Sequence, residues 1–378
     1  MTDRARVAVA GLGAVAQAVH LPLLARRWDL FEIAAVCDLS HSLRDELGDQ
    51  YGVPVAHRYP TIDEMVTAAD LDGVLLLTSG SHGADAVHAV RNDVAVFCEK
   101  PLAYTVSEAD QLAEAEAERG RPSVLLAYMK EYDDAVARLR ERLVDVRDVR
   151  AVEVRVLHPS PASQLAFANL RPVPADVPTP VADGVHSAED EVLDAVLGPA
   201  APSRIRLLYS FVVLGSLVHD TSLLRDLFGG LVEIDDARAW PDDVFPPSVE
   251  VGGALPGGAR ARLAWHYLAD YPAYRETVSV HHATGSMQVT FGTPYLLNAP
   301  TELTVVDTAS GGELRTTYRS RGESFENELV AFHRMVTDGT PPRAGVAEGR
   351  ADIMTSQRII RLLADREGVK LEGEAAEA

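Results

Sequence analysis

The chain holds only three lysines, Lys100, Lys130 and Lys370, against an abundance of arginine. Lys100 follows the apolar run Val94-Ala95-Val96-Phe97-Cys98 and stands in the segment Glu99-Lys100-Pro101-Leu102. A β-branched run of this kind reads as a buried strand. Proline has no N–H to give to a sheet ladder, so the strand stops there. Ligands of open α/β sheets bind beyond the carboxyl ends of the strands, and Glu99 and Lys100 therefore stand where chemistry is expected. An ammonium on a flexible stem can give up a proton, which a guanidinium cannot. Lys100 is a candidate acid–base or charge-stabilising group, to be weighed against a plain solvated strand end.

A second constellation lies near the N-terminus. Arg6-Val7-Ala8-Val9-Ala10 reads as a short buried strand, Gly11-Leu12-Gly13-Ala14-Val15-Ala16 as a tight turn, and the Ala/Val/Leu pattern to about Leu24 as a helix. Strand, G-x-G-x-x-A turn and helix together form the dinucleotide fingerprint. Gly11 permits the turn, Gly13 lets the backbone approach a diphosphate, and the diphosphate rests on the helix N-terminus. Asp38 closes the next strand, Glu32–Cys37, at the spacing of the acid that accepts hydrogen bonds from an adenosine ribose. A carboxylate there repels a 2′-phosphate, which favours NAD over NADP; Arg44 lies close enough to compete with that reading.

The elements that must position these residues follow a βαβ rhythm. Gly73–Leu77 reads as a strand with the polar turn Thr78-Ser79-Gly80-Ser81-His82 at its carboxyl end, a helix spans about Ala84–Arg91, and Ser107 onward reads as a helix to Arg119. Residues 1–125 are expected to form a Rossmann-type domain, a doubly wound parallel sheet ending near Ser123–Tyr128. Residues 126–378 are expected to form an α+β domain with an open, mainly antiparallel sheet: Val152–Val156, Arg260–Tyr267, Arg275–His281, Met287–Phe291 and Thr301–Asp307 alternate as strands with one wet face. Residues 158–203 carry many prolines and read as an atypical long excursion, a lid or subunit-contact element, with one short acidic helix at Ser187–Leu197. His158 and His186 at its edges read as solvated loop histidines. His281 and His282 point to opposite faces, which disfavours a metal site, and Tyr267, Tyr274 and Tyr295 are candidates for sheet packing or for stacking on a sugar. Glu372–Ala378 is expected to fray.

Bulk properties narrow the partners. The formal charge of −21 offers no basic field for nucleic acid or an anionic membrane. Cys37 and Cys98 have no metal-ligand spacing and read as free thiols of a reducing compartment. Met1-Thr2-Asp3-Arg4 leads directly into a strand without a signal-peptide pattern, and no apolar run is read as reaching membrane-spanning length. A cytoplasmic protein is expected, associating through its uncovered sheet face as a homodimer or homotetramer.

The Gly11-Leu12-Gly13 turn, the acid after the second strand, His82, Glu99-Lys100-Pro101-Leu102 and a His219 segment occur in an order that resembles the glucose–fructose oxidoreductase, inositol dehydrogenase and rhizopine-catabolism (Gfo/Idh/MocA) family over nearly the whole chain. The resemblance implies a catalytic lysine at Lys100, a cis bond before Pro101, and a catalytic histidine at His219, on a helix running to Gly229. It implies cofactor contacts from Gly11, Leu12, Gly13, Ala14, Val15, Asp38, Thr78, Ser79, His82, Glu99 and Lys100, and substrate contacts from Lys100, Lys130, His219 and Asp220. The chain departs from the family at Thr78-Ser79, where proline and asparagine are usual, and at Gly215, where the family has an acid one turn before the histidine. The implied activity is hydride transfer between NAD(P) and a secondary alcohol of a sugar, cyclitol or related polyol, with no metal. The alternatives are a nucleotide-sensing regulator without turnover, and redox-neutral processing of a glycoside with a retained NAD.

Overall fold

A computed structural model describes residues 4–378, so the reading of Met1–Asp3 lies outside the described residues. The chain runs β1 (Ala5–Ala10), a π-helical turn (Ala16–His20) continuing into α1 (Leu21–Arg26), β2 (Phe31–Cys37), α2 (His41–Tyr51), β3 (Arg58–Tyr59), α3 (Ile62–Ala68), β4 (Gly73–Leu76), α4 (Gly83–Arg91), β5 (Ala95–Glu99), α5 (Val106–Arg119) and β6 (Val124–Ala127). These strands form one parallel sheet in the order β3-β2-β1-β4-β5-β6, the doubly wound arrangement in which the order reverses beside β1. Both faces are covered, so the strands are apolar throughout. Ala8 and Ala10 of β1 face one core layer and Val7 and Val9 the other.

The chain then continues through α6 (Asp134–Leu143), β7 (Val149–His158), α7 (Pro161–Leu165), α8 (Thr179–Leu197), α9 (Ser203–Leu207), a π-helical stretch (Leu208–Leu217) and α10 (Val218–Phe228). It goes on through β8 (Glu233–Trp240), β9 (Ser248–Ala254), β10 (Arg260–Tyr267), β11 (Arg275–His282), β12 (Gly285–Phe291), β13 (Glu302–Ala309) and β14 (Gly312–Arg319), and closes with α11 (Ser324–Asp338) and α12 (Val346–Arg366). β7 to β14 form an eight-stranded sheet, order β14-β13-β12-β11-β7-β10-β9-β8, antiparallel except where β10 lies parallel to β7. Val152, Val154 and Val156 of β7 face the helices while Glu153 and Arg155 face solvent. The outer face is charged: Arg238 and Arg262 both reach Glu250, at 2.7 and 2.9 Å.

α11 returns to the first sheet, where Phe325, Leu329 and Phe332 join the core around β1 and β5. Such side chains contribute about 1.5–3 kcal/mol each on full burial. α12 bridges the two sheets, with Ile353 in the core of the first and Ile359, Ile360 and Leu363 in that of the second.

Several sequence readings change. α8 begins at Thr179 rather than Ser187, with Pro180 in its first turn, where a missing N–H costs nothing. β8, β9 and β14 were not anticipated. The helical run Ser203–Phe228 is long and apolar enough to cross a membrane by length and composition, contrary to the expectation that no run reaches that length. Two-thirds of its apolar window is buried, because it forms the core under the second sheet. The C-terminal tail is docked rather than frayed: the Glu374 carboxylate accepts the Val106 and Ser107 N–H groups at the start of α5, at 2.7 and 3.1 Å.

Candidate active site

At the carboxyl edge of the parallel sheet, a cavity of about 440 Å³ opens between that sheet and the eight-stranded one. Gly13, Ala14 and Val15 line one end, Thr78, Ser79 and Gly80 a second, Glu99 and Lys100 the floor, and His158, Gln164, His219, Asp220, Tyr274 and Glu276 the far wall.

The nucleotide end is built by backbone. Gly11 adopts φ +87°, and a Cβ there would meet the carbonyl carbon of Leu77 and the Thr78 nitrogen at 2.7 Å, so only glycine lets the β1 and β4 turns pack this closely. A Cβ at Gly13 would meet nothing within 4 Å; this open space before the first helical turn is a cradle suited to a diphosphate. Asp38 fastens the turn, accepting the Leu12 N–H at 2.8 Å and the Ser40 N–H at 2.9 Å. A carboxylate has about four acceptor positions, so two remain for ribose hydroxyls. Arg44 spends its guanidinium on the carbonyls of Asp38 and Leu39. These features fit a dinucleotide.

His82 does not line the cavity. It is buried, and its ring nitrogens face the carbonyl oxygens of Pro101 (2.7 Å) and Thr78 (2.9 Å), so it braces the β4 and β5 turns against each other. The Leu12 side chain is likewise buried; its backbone N–H donates to Asp38 and its carbonyl accepts from Gln17. Glu99 accepts from the Lys100 N–H at 3.1 Å and faces His20 Nε2 at 3.1 Å. Burial pushes its carboxyl up, but His20 and Lys100 prevail and hold it below the usual range.

Lys100 and His219 share this cavity although they lie far apart in sequence. The Lys100–Pro101 bond is cis. Lys100 Nζ donates to the carbonyl oxygen of Gly215 at 2.6 Å. At the position where the resemblance placed a carboxylate, the π-helical stretch thus supplies a backbone acceptor; π-helical turns are frequent at functional sites. Burial lowers the Lys100 pKa, and Lys130 adds to the effect against the pull of Glu99. His219 is lowered further, by burial first and then by Lys100 and Lys130, so its ring is neutral near pH 7. His219 Nδ1 is buried without a hydrogen-bond partner.

Lys130, expected as a substrate contact, is buried. Its ammonium contacts Asp220 at 3.0 Å and Glu276 at 2.6 Å, and the Tyr274 hydroxyl donates to Glu276 at 2.6 Å. Burial works against the ammonium, but the two carboxylates outweigh it and raise its pKa. Burial pushes Asp220 up to about 7 against the pull of Lys130, with Glu276 acting in the same direction as burial. Asp220 therefore serves Lys130 and leaves Lys100 to Gly215.

Sequence reasoning missed Glu276, Gln164 and the placement of His158. Glu276 was legible: in Glu276-Thr277-Val278-Ser279-Val280 it keeps phase with inward Val278 and Val280, and an acid on a buried face needs a partner. Gln164, on α7 within the excursion, carries no such signal. His158 is half-buried against Trp265 and Tyr274 rather than solvated, whereas His186 is exposed. Tyr274 and Tyr295 line the cavity; Tyr267 stacks on Trp265.

Residues 5–128 match the model of the Gfo/Idh/MocA family, described as an oxidoreductase family with an NAD-binding Rossmann fold. An inositol 2-dehydrogenase/D-chiro-inositol 3-dehydrogenase of Shouchella clausii is 30% identical over 154 residues, 40% of this chain and 44% of that protein. An inositol 2-dehydrogenase 3 of Saccharopolyspora erythraea is 35% identical over 141 residues, 37% of this chain and 40% of its own length. The matched stretch thus spans less than half the length of these curated relatives. Over 97% of this chain, the fold is similar to that of an aldose–aldose oxidoreductase from Caulobacter crescentus crystallised with glycerol, at TM-score 0.71 and 19% identity, covering 98% of that chain. A putative myo-inositol dehydrogenase from Sinorhizobium meliloti aligns over 96% of this chain and 98% of its own, at TM-score 0.68 and 18% identity.

Proposed function

We propose, from the match of residues 5–128 to the model of the Gfo/Idh/MocA oxidoreductase family, that the protein is an NAD-dependent dehydrogenase of a secondary alcohol on a sugar, cyclitol or related polyol. The observation that carries this reading is the meeting of Lys100 and His219 in one cavity with the open cradle at Gly13. Gly11 to Val15, Asp38, Thr78, Ser79, Glu99 and Lys100 would hold the dinucleotide, with Asp38 favouring NAD over NADP. Nicotinamide, when bound, supplies the hydride acceptor.

The chain's own groups do the rest. His219, neutral and with Nδ1 unpartnered, takes the proton from the substrate hydroxyl and returns it in the reverse direction. Lys100 keeps one N–H on Gly215 and turns another toward the same oxygen, stabilising charge that develops there. Glu276 Oε1 and Gln164 Oε1, both buried without partners, accept hydrogen bonds from further hydroxyls, which suits a polyol. The Lys130–Asp220–Glu276 cluster holds that wall rigid. The protein is read as cytoplasmic and as a homodimer or homotetramer.

A second reading, redox-neutral processing of a glycoside with a retained NAD, is favoured by the 158–203 segment, which crosses the nucleotide end of the cleft. Mixing the protein with NAD or NADP and a panel of sugars and cyclitols, and following nicotinamide absorbance, tests the first reading. At least one polyol should reduce NAD. NAD that stays with the protein through purification, with release of an aglycone and no net reduction, would favour the second.

A further inference from the structure

The proline-rich segment between β7 and α8 is tied to the nucleotide-binding domain at separate points. The Arg171 N–H donates to Gln17 Oε1 at 2.8 Å, and Gln17 in turn holds the Leu12 carbonyl of the glycine turn at 2.8 Å. The Arg171 guanidinium reaches Gln50 at 3.0 Å and Glu46 at 3.1 Å on α2. Farther along, the Tyr104 hydroxyl donates to Glu189 of α8 at 2.8 Å. The segment starts at the far wall of the cavity with His158 and Gln164 and crosses to the start of α2, so it lies as a strap over the path between them.

Its tip is Asp176. One carboxylate oxygen accepts the Ser40 hydroxyl at 2.7 Å and the other the Ser42 N–H at 2.8 Å, both at the N-terminus of α2 immediately after Asp38. These contacts hold its carboxyl at about 2, so it is an anion at every working pH. In this fold the acid closing the second strand marks the ribose 2′ position, and donors just beyond it are what a 2′-phosphate needs. Here those donors are already taken by an anion that belongs to the chain.

We propose that Asp176 is a cofactor-specificity residue: the strap seats its carboxylate where the 2′-phosphate of NADP would bind, so the strap closes over NAD and is displaced by NADP. This rests on the dinucleotide reading above and adds to Asp38 a second, distant determinant. Its contacts to Gln17, Gln50, Glu46 and the Ser42 N–H are exposed polar pairs, which are individually weak, so this part of the strap can open for the nucleotide to enter. A phosphate entering the same nest would have to expel Asp176 and sit beside Asp38.

Titration calorimetry of the full-length wild type and of Asp176→Ala with NAD and with NADP tests the proposal. Removing the carboxylate should tighten NADP by roughly tenfold or more while NAD changes by less than about threefold. Asp176→Asn, which keeps the shape and loses the charge, should lie between and guards against misfolding of the alanine variant. Proteolysis of the wild-type strap should be suppressed by NAD and not by NADP. An unchanged NADP-to-NAD affinity ratio in both variants overturns the role of Asp176 and leaves the NAD reading standing. Failure of the wild type to bind either nucleotide overturns the dinucleotide reading itself, and the Asp176 proposal with it.

Discussion

Burial and neighbouring positive charge act on Lys100 and His219 in the same direction, and the consequence differs for each. His219 loses its charged form well below its ordinary value, so it is a ready base at neutral pH and its own titration does not limit turnover there. Lys100 titrates below its usual 10.5. If its ammonium is needed, the alkaline limb of kcat/KM falls below pH 10.5 as well. If ionised Asp220 is needed to hold Lys130, its carboxyl, raised by burial, gives kcat/KM an acid limb that should vanish in Asp220→Asn. Gly215→Asp sets a carboxylate beside Lys100, favours the ammonium, and moves the alkaline limb upward. A Cβ at Gly215 would stand 3.2 Å from the Ser210 carbonyl, tight but within reach of a small adjustment. A pH profile unmoved by Gly215→Asp would mean that Lys100 does not set the alkaline limb.

At the scale of the element, α11 joins the first sheet with a conflict on its buried face. Glu328 follows Phe325 by three residues and precedes Phe332 by four, so the apolar stripe carries it inward. Both its carboxylate oxygens are buried without partners. Burial first, then Glu99, Glu323 and Glu131, raises its pKa well above 4.5. The folded state therefore keeps the proton that the unfolded chain releases as pH rises past 4.5, and folding is penalised progressively above that pH. Glu328→Met should stabilise the protein by about 1–3 kcal/mol in urea unfolding, more at pH 8 than at pH 5. A less stable variant at pH 8 would show that Glu328 has a partner that matters. The stripe was legible in the sequence because helical spacing announces a buried face; the cost of Glu328 was not, because it depends on which acids other elements bring beside it.

Across the whole molecule, local signals and long-range packing divide what could be read. The parallel sheet follows from strand, glycine turn and helix repeated along the first third of the chain, and Lys100 was identifiable because proline fixes where its strand ends. β8 and β9 escaped notice because Asp235-Asp236, at a register shift, and Gly252-Gly253 break their alternation, and Ser203–Phe228 betrays its core position only once a sheet covers it. The excursion read as a lid or subunit contact is anchored at Gln17 and Ser40, which precede it by more than a hundred residues, so its path could not be read locally. The same distance separates Lys100 from His219, and only the assembled fold sets them around one cavity. A kcat/KM cycle of Lys100→Ala, His219→Ala and the double variant, on whichever polyol reduces NAD, tests that assembly most directly. If both groups act on one substrate oxygen, each single loss is roughly 100-fold and the double variant is little worse than the poorer single one. Near-normal turnover in either single variant, or losses that multiply as independent events, would contradict the account.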